Sequence, residues 1–111
     1  MTVAKHIVVF ITAETPEQAR KIADALLSKK LAACVNIVPQ VHSQFWWQGK
    51  IDSADESLLI VKTKATLLDK VIASVKKNHS YTVPEIIALP IVGGNKDYLD
   101  WIDEVTSDSN P

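Results

Sequence analysis

The sequence is poor in cysteine, in excess charge and in long apolar runs. Cys34 is the only cysteine, which excludes a disulfide bond within the chain and is typical of a reducing compartment. Twelve basic residues against 13 acidic ones give a net charge of −1, so no basic surplus predicts a nucleic-acid partner. No apolar run approaches the roughly 20 residues that span a bilayer, and the first residues lack the pattern of a secretory signal. We therefore expect a cytoplasmic protein with neither a nucleic-acid nor a membrane partner.

Common motifs of enzyme chemistry are also missing. The chain has no P-loop and no GxGxxG, HExxH, CxxC or GxSxG sequence. Cys34 lies in an apolar segment, which favours an inert buried thiol over a nucleophile. With 111 residues, 47% of them hydrophobic, the chain has the size of one domain, residues 1–111. No residue is predicted to be catalytic.

The apolar residues that are present predict four strands and three helices. Short runs rich in β-branched residues predict strands over Lys5–Thr12, Ala32–Val41 with a continuation to Trp47, Ser57–Lys64 and Tyr81–Pro90. Apolar residues at helical spacing predict helices from Pro16 to about Lys29–Leu31, from Thr66 to about His79, and over Lys96–Val105. This order predicts an α+β, ferredoxin-like (split βαβ) antiparallel sheet, with two helices on one face plus a C-terminal helix. The polar tail 106–111 is expected to be frayed.

Individual residues support these boundaries. Thr15 is the expected N-cap of the first helix, with Gln18 completing a capping box, and Thr66 and Asn95 are the expected N-caps of the other two. Pro39 cannot donate a hydrogen bond to a neighbouring strand, so it predicts a bulge, a bend or an edge position.

Residues 31–64 form one long predicted hairpin with its turn at Gln48-Gly49-Lys50. The aromatic residues Phe45–Trp47 lie near its tip, beyond the reach of a core in a domain of this size. They either form a surface on which a ligand stacks or pack on a neighbouring subunit, where aromatic residues are enriched. Two helices on one face of a sheet also leave the other, apolar face bare, which is rare in monomers. Both observations favour an oligomer.

The densest polar cluster is His79-Ser80-Tyr81 with Glu85, where the second helix gives way to the fourth strand. His79 is suited to bind a metal or to transfer protons, and the other side chains are suited to form hydrogen bonds. A structural role is an equal alternative, with His79 capping a helix and Glu85 paired with a lysine. Lys62, near the end of the third strand, would either pair with Glu85, bind an anion or lie exposed.

These segments resemble the CutA divalent-cation tolerance family. The similarity rests on LAACVN at 31–36, WQGKI at 47–51, HSYTVPE at 79–85 and YLDW at 98–101, and it extends over roughly residues 5–105. The resemblance implies a ferredoxin-like subunit in a tight homotrimer, similar in plan to the PII signal proteins. It implies a cytosolic setting and no established enzyme activity.

The resemblance also implies functional residues. A copper site of the family uses a first-strand cysteine and two adjacent histidines, where this chain has Ile11 and Asn78-His79, so His79 is the one matching metal ligand. The residues of the family's inter-subunit cleft match better, and they are Trp47, Lys62, His79, Tyr81 and Glu85. We expect that cleft to bind a metal ion, with copper or another divalent cation as the candidate, or a small anionic ligand. No cofactor is required.

Two other classes of function stay open. An enzyme would use His79 as a general base, but the sequence shows neither a nucleophile nor a residue that orients the imidazole. A PII-like signalling or scaffolding trimer with no physiological metal role would use the same cluster for stability.

Overall fold

The computed structural model describes residues 4–106 and consists of one antiparallel sheet with three helices. The elements are β1 (His6–Ala13), α1 (Pro16–Ser28), β2 (Cys34–Trp47), β3 (Lys50–Lys64), a 3₁₀ turn (Ala65–Leu67), α2 (Leu68–Asn78), β4 (Ile86–Pro90) and α3 (Lys96–Val105). The strands lie in the order β2-β3-β1-β4, and each neighbouring pair is antiparallel. The predicted split βαβ arrangement is confirmed.

The core lies between one face of the sheet and the pair α1 and α2. Alternate residues of β1 point into it, because successive side chains of a strand face opposite sides. The helices contribute residues at spacings of three and four, which place them on one stripe. The largest core side chains are Ile11, Ile22, Leu26, Leu59 and Leu67, all with no exposed surface.

The third helix packs on the opposite face of the sheet. His6 precedes the buried Ile7 on β1, and its Nε2 lies 2.9 Å from a carboxylate oxygen of Asp103 on α3. Tyr98 of α3 is hydrogen-bonded to Cys34 on β2, and burial together with this neighbour raises the pKa of Tyr98. The face that the sequence predicts to be bare is therefore covered by α3 at one end. Ile87 and Leu89 of β4 remain exposed on it.

The pairing of β2 with β3 is irregular around Pro39, and the hairpin turns at Gln48-Gly49. The pairing register shifts between Val38 and Val41, and β2 is also an edge strand, so the prediction for Pro39 is confirmed. The Ser57 hydroxyl donates to the Pro39 carbonyl at 2.7 Å and holds the bulge closed. Gln48 and Gly49 have φ angles of +50° and +79°, as a two-residue turn that follows the twist of the strands requires.

Two predicted strand boundaries are wrong. The third strand begins at Lys50, seven residues before Ser57. Its polar first half is a strand because it pairs with β2. Residues 81–85 are not part of β4, which begins at Ile86. Pro84 has no N–H to donate, and β1 pairs with β4 only as far as Ile11 opposite Ile86.

The helix caps differ from prediction at two places. Thr15 accepts from the Gln18 N–H at 3.1 Å, as predicted, but the Gln18 side chain accepts from the Glu14 N–H and not from Thr15. Thr66 does not cap α2, because it lies inside the 3₁₀ turn that precedes the helix. Asn95 caps α3 as predicted, accepting from the Asp97 N–H at 3.1 Å.

The predicted fraying of the tail is wrong at its first residue. Thr106 is buried, and its hydroxyl donates to the Ile102 carbonyl at 2.7 Å. The rest of the tail, 107–111, lies outside the described residues. Within residues 4–106, no helix is long and apolar enough to cross a membrane.

Candidate functional site

A cleft of about 790 Å³ lies between the outer half of the hairpin and the irregular segment 80–85. Its position follows from the fold, because β4 starts late and leaves the end of β1 without a partner on that side. The aromatic side chains on its wall are Phe45, Trp47 and Tyr81, and the carboxylates are Asp52, Glu56 and Glu85. Within residues 4–106, no lysine, arginine or histidine side chain lines the cleft.

Tyr81 and Glu56 form the polar centre of this cleft. The Tyr81 hydroxyl donates to Glu56 Oε2 at 2.9 Å, and Glu56 is only 8% exposed. Burial, the hydrogen bond to Glu56 and the negative charges of Glu56 and Glu14 together raise the pKa of Tyr81 to about 12. Tyr81 therefore stays protonated and acts as a hydrogen-bond donor throughout the physiological pH range.

His79 orients Tyr81 and does not line the cleft. Its Nδ1 accepts from the Tyr81 N–H at 3.0 Å, so the other ring nitrogen must carry the proton of the neutral imidazole. That Nε2 donates to the Thr12 carbonyl at 2.6 Å, at the end of β1 that has no β4 partner. The two rings also contact each other, with centroids 4.7 Å apart. Because both ring nitrogens are engaged, a metal ion or a proton acceptor role at His79 would require one of these bonds to break.

Ser80 fastens the same segment to the start of α1. Its hydroxyl lies 3.0 Å from Glu14 Oε1 and 3.1 Å from Gln18 Oε1. The same Gln18 oxygen also accepts from the Glu14 N–H, so it is engaged away from Thr15. Residues 79–81 are thus held at three points, by Thr12, by α1 and by Glu56.

Lys62 lies far from this cluster within its own chain. It pairs with Val8 and Cys34, and its Nζ contacts Asn36 Oδ1 and, at 3.7 Å, Cys34 Sγ. Six residues of extended strand separate it from Glu56, which is about 20 Å at ordinary strand rise. The structure therefore brings Trp47, Tyr81 and Glu85 to one cleft, places His79 directly behind them, and leaves Lys62 at the other end of the sheet.

Glu56 and Asp52 are site residues that the sequence reasoning missed. Both lie in the polar first half of β3, ahead of Ser57, where the sequence predicts the strand to begin. Glu56, Leu58 and Ile60 occupy every second position of the strand, so their side chains face the same side of the sheet. This spacing was the signal from which the position of Glu56 could have been predicted. A charged residue in phase with apolar ones is unusual for a half-buried strand.

Metal ligands are dispersed in this chain. Among residues 4–106, no three His, Cys, Asp or Glu side chains are grouped so that they would hold one metal ion. Two of the cleft carboxylates, Asp52 and Glu56, lie four residues apart on β3, and the third, Glu85, lies just before β4. The neighbouring imidazole of His79 is hydrogen-bonded at both nitrogens. The described part of the chain does not fit a copper ion without rearrangement or further ligands.

Residues 7–105 match the family model of the CutA1 divalent ion tolerance protein. The chain belongs to this family. The resemblance carried by LAACVN and HSYTVPE is thereby confirmed, and it covers β1 to α3. The family is named for tolerance of divalent ions and not for a reaction.

Relatives include proteins of plants and archaea. The chain is 49% identical over 108 residues to the chloroplastic protein CutA 1 of Oryza sativa, covering 97% of this chain and 61% of that protein. It is 54% identical over 99 residues to the divalent-cation tolerance protein CutA of Archaeoglobus fulgidus, covering 89% and 96%. The chain thus spans 61% of the rice protein and 55% of the chloroplastic CutA of Arabidopsis thaliana, but nearly all of the archaeal one.

Solved structures of relatives have the same fold. CutA1 from Oryza sativa superposes with a TM-score of 0.92 at 48% identity, covering 97% of this chain and 99% of the other. The protein described as the periplasmic divalent cation tolerance protein CutA from Archaeoglobus fulgidus gives 0.89 at 51% identity, covering 92% and 99%. Because chloroplastic and periplasmic relatives occur, the cytoplasmic location predicted from the sequence stays a prediction.

Proposed function

We propose that this protein serves divalent-cation tolerance as a homotrimer of one-domain subunits and that the cleft beside Tyr81 is its ligand-binding site. The observation that carries the proposal is the cleft itself, a large concavity with a buried carboxylate and aromatic walls in a member of this family. Ligand sites are usually concave and largely apolar, with a few convergent polar groups.

The trimer is supported by apolar surface that one subunit does not bury. Trp46 is 73% exposed near the hairpin tip, and Ile51, Ile87 and Leu89 are exposed as well. The outer edges of β2 and β4 are unpaired within residues 4–106, and exposed edges of this kind invite association. In a cyclic trimer, the same two surfaces would meet at every contact between copies. Such contacts would cover the apolar residues and the strand edges, and a closed ring leaves no free surface for a further copy.

A neighbouring subunit would also complete the site. Trp47 would form an apolar wall, Tyr81 and Glu85 would make polar contacts, and His79 would hold Tyr81 in place. Lys62 reaches a cleft of this kind only if it comes from another copy, because it lies at the far end of its own sheet. A copper or other divalent-cation site, with or without His79 as a ligand, likewise needs groups beyond the described part of one subunit.

The second candidate is a PII-like signalling or scaffolding trimer without a physiological metal role. The observation that favours it is the dispersal of metal ligands among residues 4–106. On this alternative the bonds of His79 and Tyr81 serve only to fix the segment between α2 and β4.

Two measurements test these proposals. Light scattering at micromolar concentration should give three times the subunit mass of 12.2 kDa, and a monomer would overturn the assembly. In calorimetric titrations, binding of CuCl₂ or ZnCl₂ should give a measurable heat, and this heat should be smaller for the Glu85→Gln variant. The matched control is Glu17→Gln, an exposed α1 residue outside the cleft. If neither CuCl₂ nor ZnCl₂ gives heat, the scaffolding candidate is favoured.

A further inference from the structure

We infer that Asn36 and Cys34 are positioning residues for Lys62: they hold its ammonium group over the edge strand β2, from where it enters the cleft of a neighbouring subunit and pairs with a carboxylate there. This inference rests on the proposed function, because it takes the trimer and the cleft as given. It requires no particular metal or ligand.

Lys62 has no carboxylate partner in the described part of its own chain. Its Nζ contacts the amide oxygen of Asn36, which is neutral, and donates to Cys34 Sγ at 3.7 Å. The side chain is also half-buried, and an ammonium group that is partly removed from water is stabilised by a nearby carboxylate. Lys62 therefore lacks a negative partner.

The cleft lacks a positive partner. Asp52, Glu56 and Glu85 line it, Glu56 is only 8% exposed, and within residues 4–106 no basic side chain lies on its walls. A buried carboxylate is costly without a positive group beside it. A symmetric assembly that brings Lys62 of one copy to the cleft of the next supplies the missing partner to both surfaces.

The contacts of Lys62 with β2 determine the direction of its side chain. Lys62 lies on β3 directly opposite Cys34, and Asn36 lies two residues further along β2 on the same face of the sheet. Contact with both residues places the ammonium group above β2, which is the edge strand. The group is thus held beside the unpaired outer edge of β2, where the proposed trimer brings in a neighbour.

The wall of the cleft lies at the opposite edge of the sheet. Glu85 directly precedes β4, the other edge strand. In a ring where the edge of β2 meets the edge of β4 in the next copy, the segment 80–85 of that copy runs alongside β2, on the side toward which Lys62 leans. Within one chain Lys62 cannot reach Glu56, because about 20 Å of extended strand separates them.

The thiol that supports Lys62 is itself held by α3. Tyr98 is hydrogen-bonded to Cys34, and the Tyr98 ring packs on Trp101 with the ring centroids 5.4 Å apart. Cys34 is thereby a fixed support for the ammonium group, and Asn36 is its acceptor. A lysine has a flexible four-carbon stem, and a stem that is already held in one direction loses less entropy on pairing.

Zero-length crosslinking tests the pairing between copies. A carbodiimide joins a lysine amine to a carboxylate only where the two groups are in contact. The full-length protein in its natural oligomeric state is treated, digested and analysed by mass spectrometry, and light scattering gives its mass. We expect an amide bond between Lys62 and Glu56 or Glu85, and bands at two and three times the subunit mass of 12.2 kDa on a denaturing gel. A trimer in which Lys62 is not linked to either residue would overturn the inference.

Substitutions on β2 test the positioning. Asn36→Leu has a similar volume without the acceptor, and it should lower the yield of the Lys62 linkage roughly tenfold while the trimer mass stays the same. Asn36→Gln keeps an amide oxygen and should restore most of the yield, whereas Gln40→Leu, a change of another exposed amide on β2, should have no effect. Tyr98→Phe, which releases the Cys34 thiol, should lower the yield several-fold.

Two controls complete the set. Lys62→Arg keeps the positive charge but has no amine that reacts, so it should abolish the linkage and preserve the trimer. Circular dichroism confirms that each variant is folded. An unchanged yield in folded, trimeric Asn36→Leu and in Tyr98→Phe contradicts the positioning role.

The outcomes distinguish this inference from the proposed function. A monomer in light scattering would refute both. A trimer without the Lys62 linkage would refute the inference and leave the assembly and the cleft standing. A linkage that depends on Asn36, in a trimer that gives no heat with CuCl₂ or ZnCl₂, would support the inference and refute metal binding by the cleft.

Discussion

Removing the Tyr81 hydroxyl tests the central contact of the site. In Tyr81→Phe, Glu56 loses the only hydrogen-bond donor that it has among the described residues. A hydrogen bond to a charged group contributes about 1.5–3 kcal/mol to stability. Glu56 is 8% exposed and lines an open cleft, so its carboxylate is not fully removed from solvent. We therefore expect a loss of about 2 kcal/mol, in the middle of that range.

The measurement is guanidinium chloride unfolding at neutral pH and a fixed subunit concentration. The slope of the unfolding free energy with denaturant should stay unchanged, since the fold buries the same surface. Glu56→Gln and the double variant complete a double-mutant cycle, in which the coupling energy between residues 56 and 81 should be about 1 kcal/mol. A Tyr81→Phe protein within about 0.3 kcal/mol of the parent, or a coupling near zero, would refute the reasoning.

The pH dependence of the same contact has a definite sign. The folded protein raises the pKa of Tyr81 from 10.0 to about 12, first through burial and then through Glu56. A raised pKa means that the protonated hydroxyl is favoured by folding, so its contribution is fully present below pH 10. It is lost as the pH rises from 10 to 12. The stability difference between the parent and Tyr81→Phe should therefore be constant up to about pH 10 and decrease above it.

Three further substitutions test the scaffold, each by denaturant unfolding at one subunit concentration. Leu26→Ala should lower the free energy of unfolding by about 2–5 kcal/mol because it leaves a cavity in the core. The neighbouring Leu27 is 42% exposed, so Leu27→Ala should lower it by less than about 1 kcal/mol. Gly49→Ala should cost about 1 kcal/mol because its φ of +79° is unfavourable for any side chain, although the space around it is open. Ser57→Ala should cost about 1 kcal/mol through loss of the bond to Pro39, and an unchanged midpoint would show that the bulge needs no such support.

The fold was predictable because its helices and inner strands carry strong periodic patterns. Apolar spacing in α1 and α2 defines one buried stripe each, and the β-branched runs of β1 and the second half of β3 are buried on the core face. The placement of α3 was not predictable, since its amphipathic face does not say which side of the sheet it covers. The contact between His6 and Asp103 shows which side α3 covers, and these two residues are 97 positions apart in the chain.

The site was only partly predictable, because it depends on where strands stop pairing. HSYTVPE drew attention to Tyr81 and Glu85, but its β-rich composition also predicted a strand through residues that are irregular. The bond from His79 to the Thr12 carbonyl uses the end of β1 that β4 does not reach, and no local pattern indicates such an end. Glu56 was missed for a related reason, since the polar half of β3 has the composition of a loop.

In the proposed trimer, the hairpin beyond the Pro39 bulge would link ligand binding to assembly. Every residue from 44 to 53 is exposed in the single chain, so this half of the hairpin has almost no core of its own to hold it in place. It nevertheless carries Phe45, Trp47 and Asp52, which form one side of the cleft. In the proposed trimer, contact with a neighbour would order this wall, and an ordered wall binds a ligand more tightly because less entropy is lost on binding. Linkage is reciprocal, so a ligand in the cleft must strengthen subunit association by the same factor.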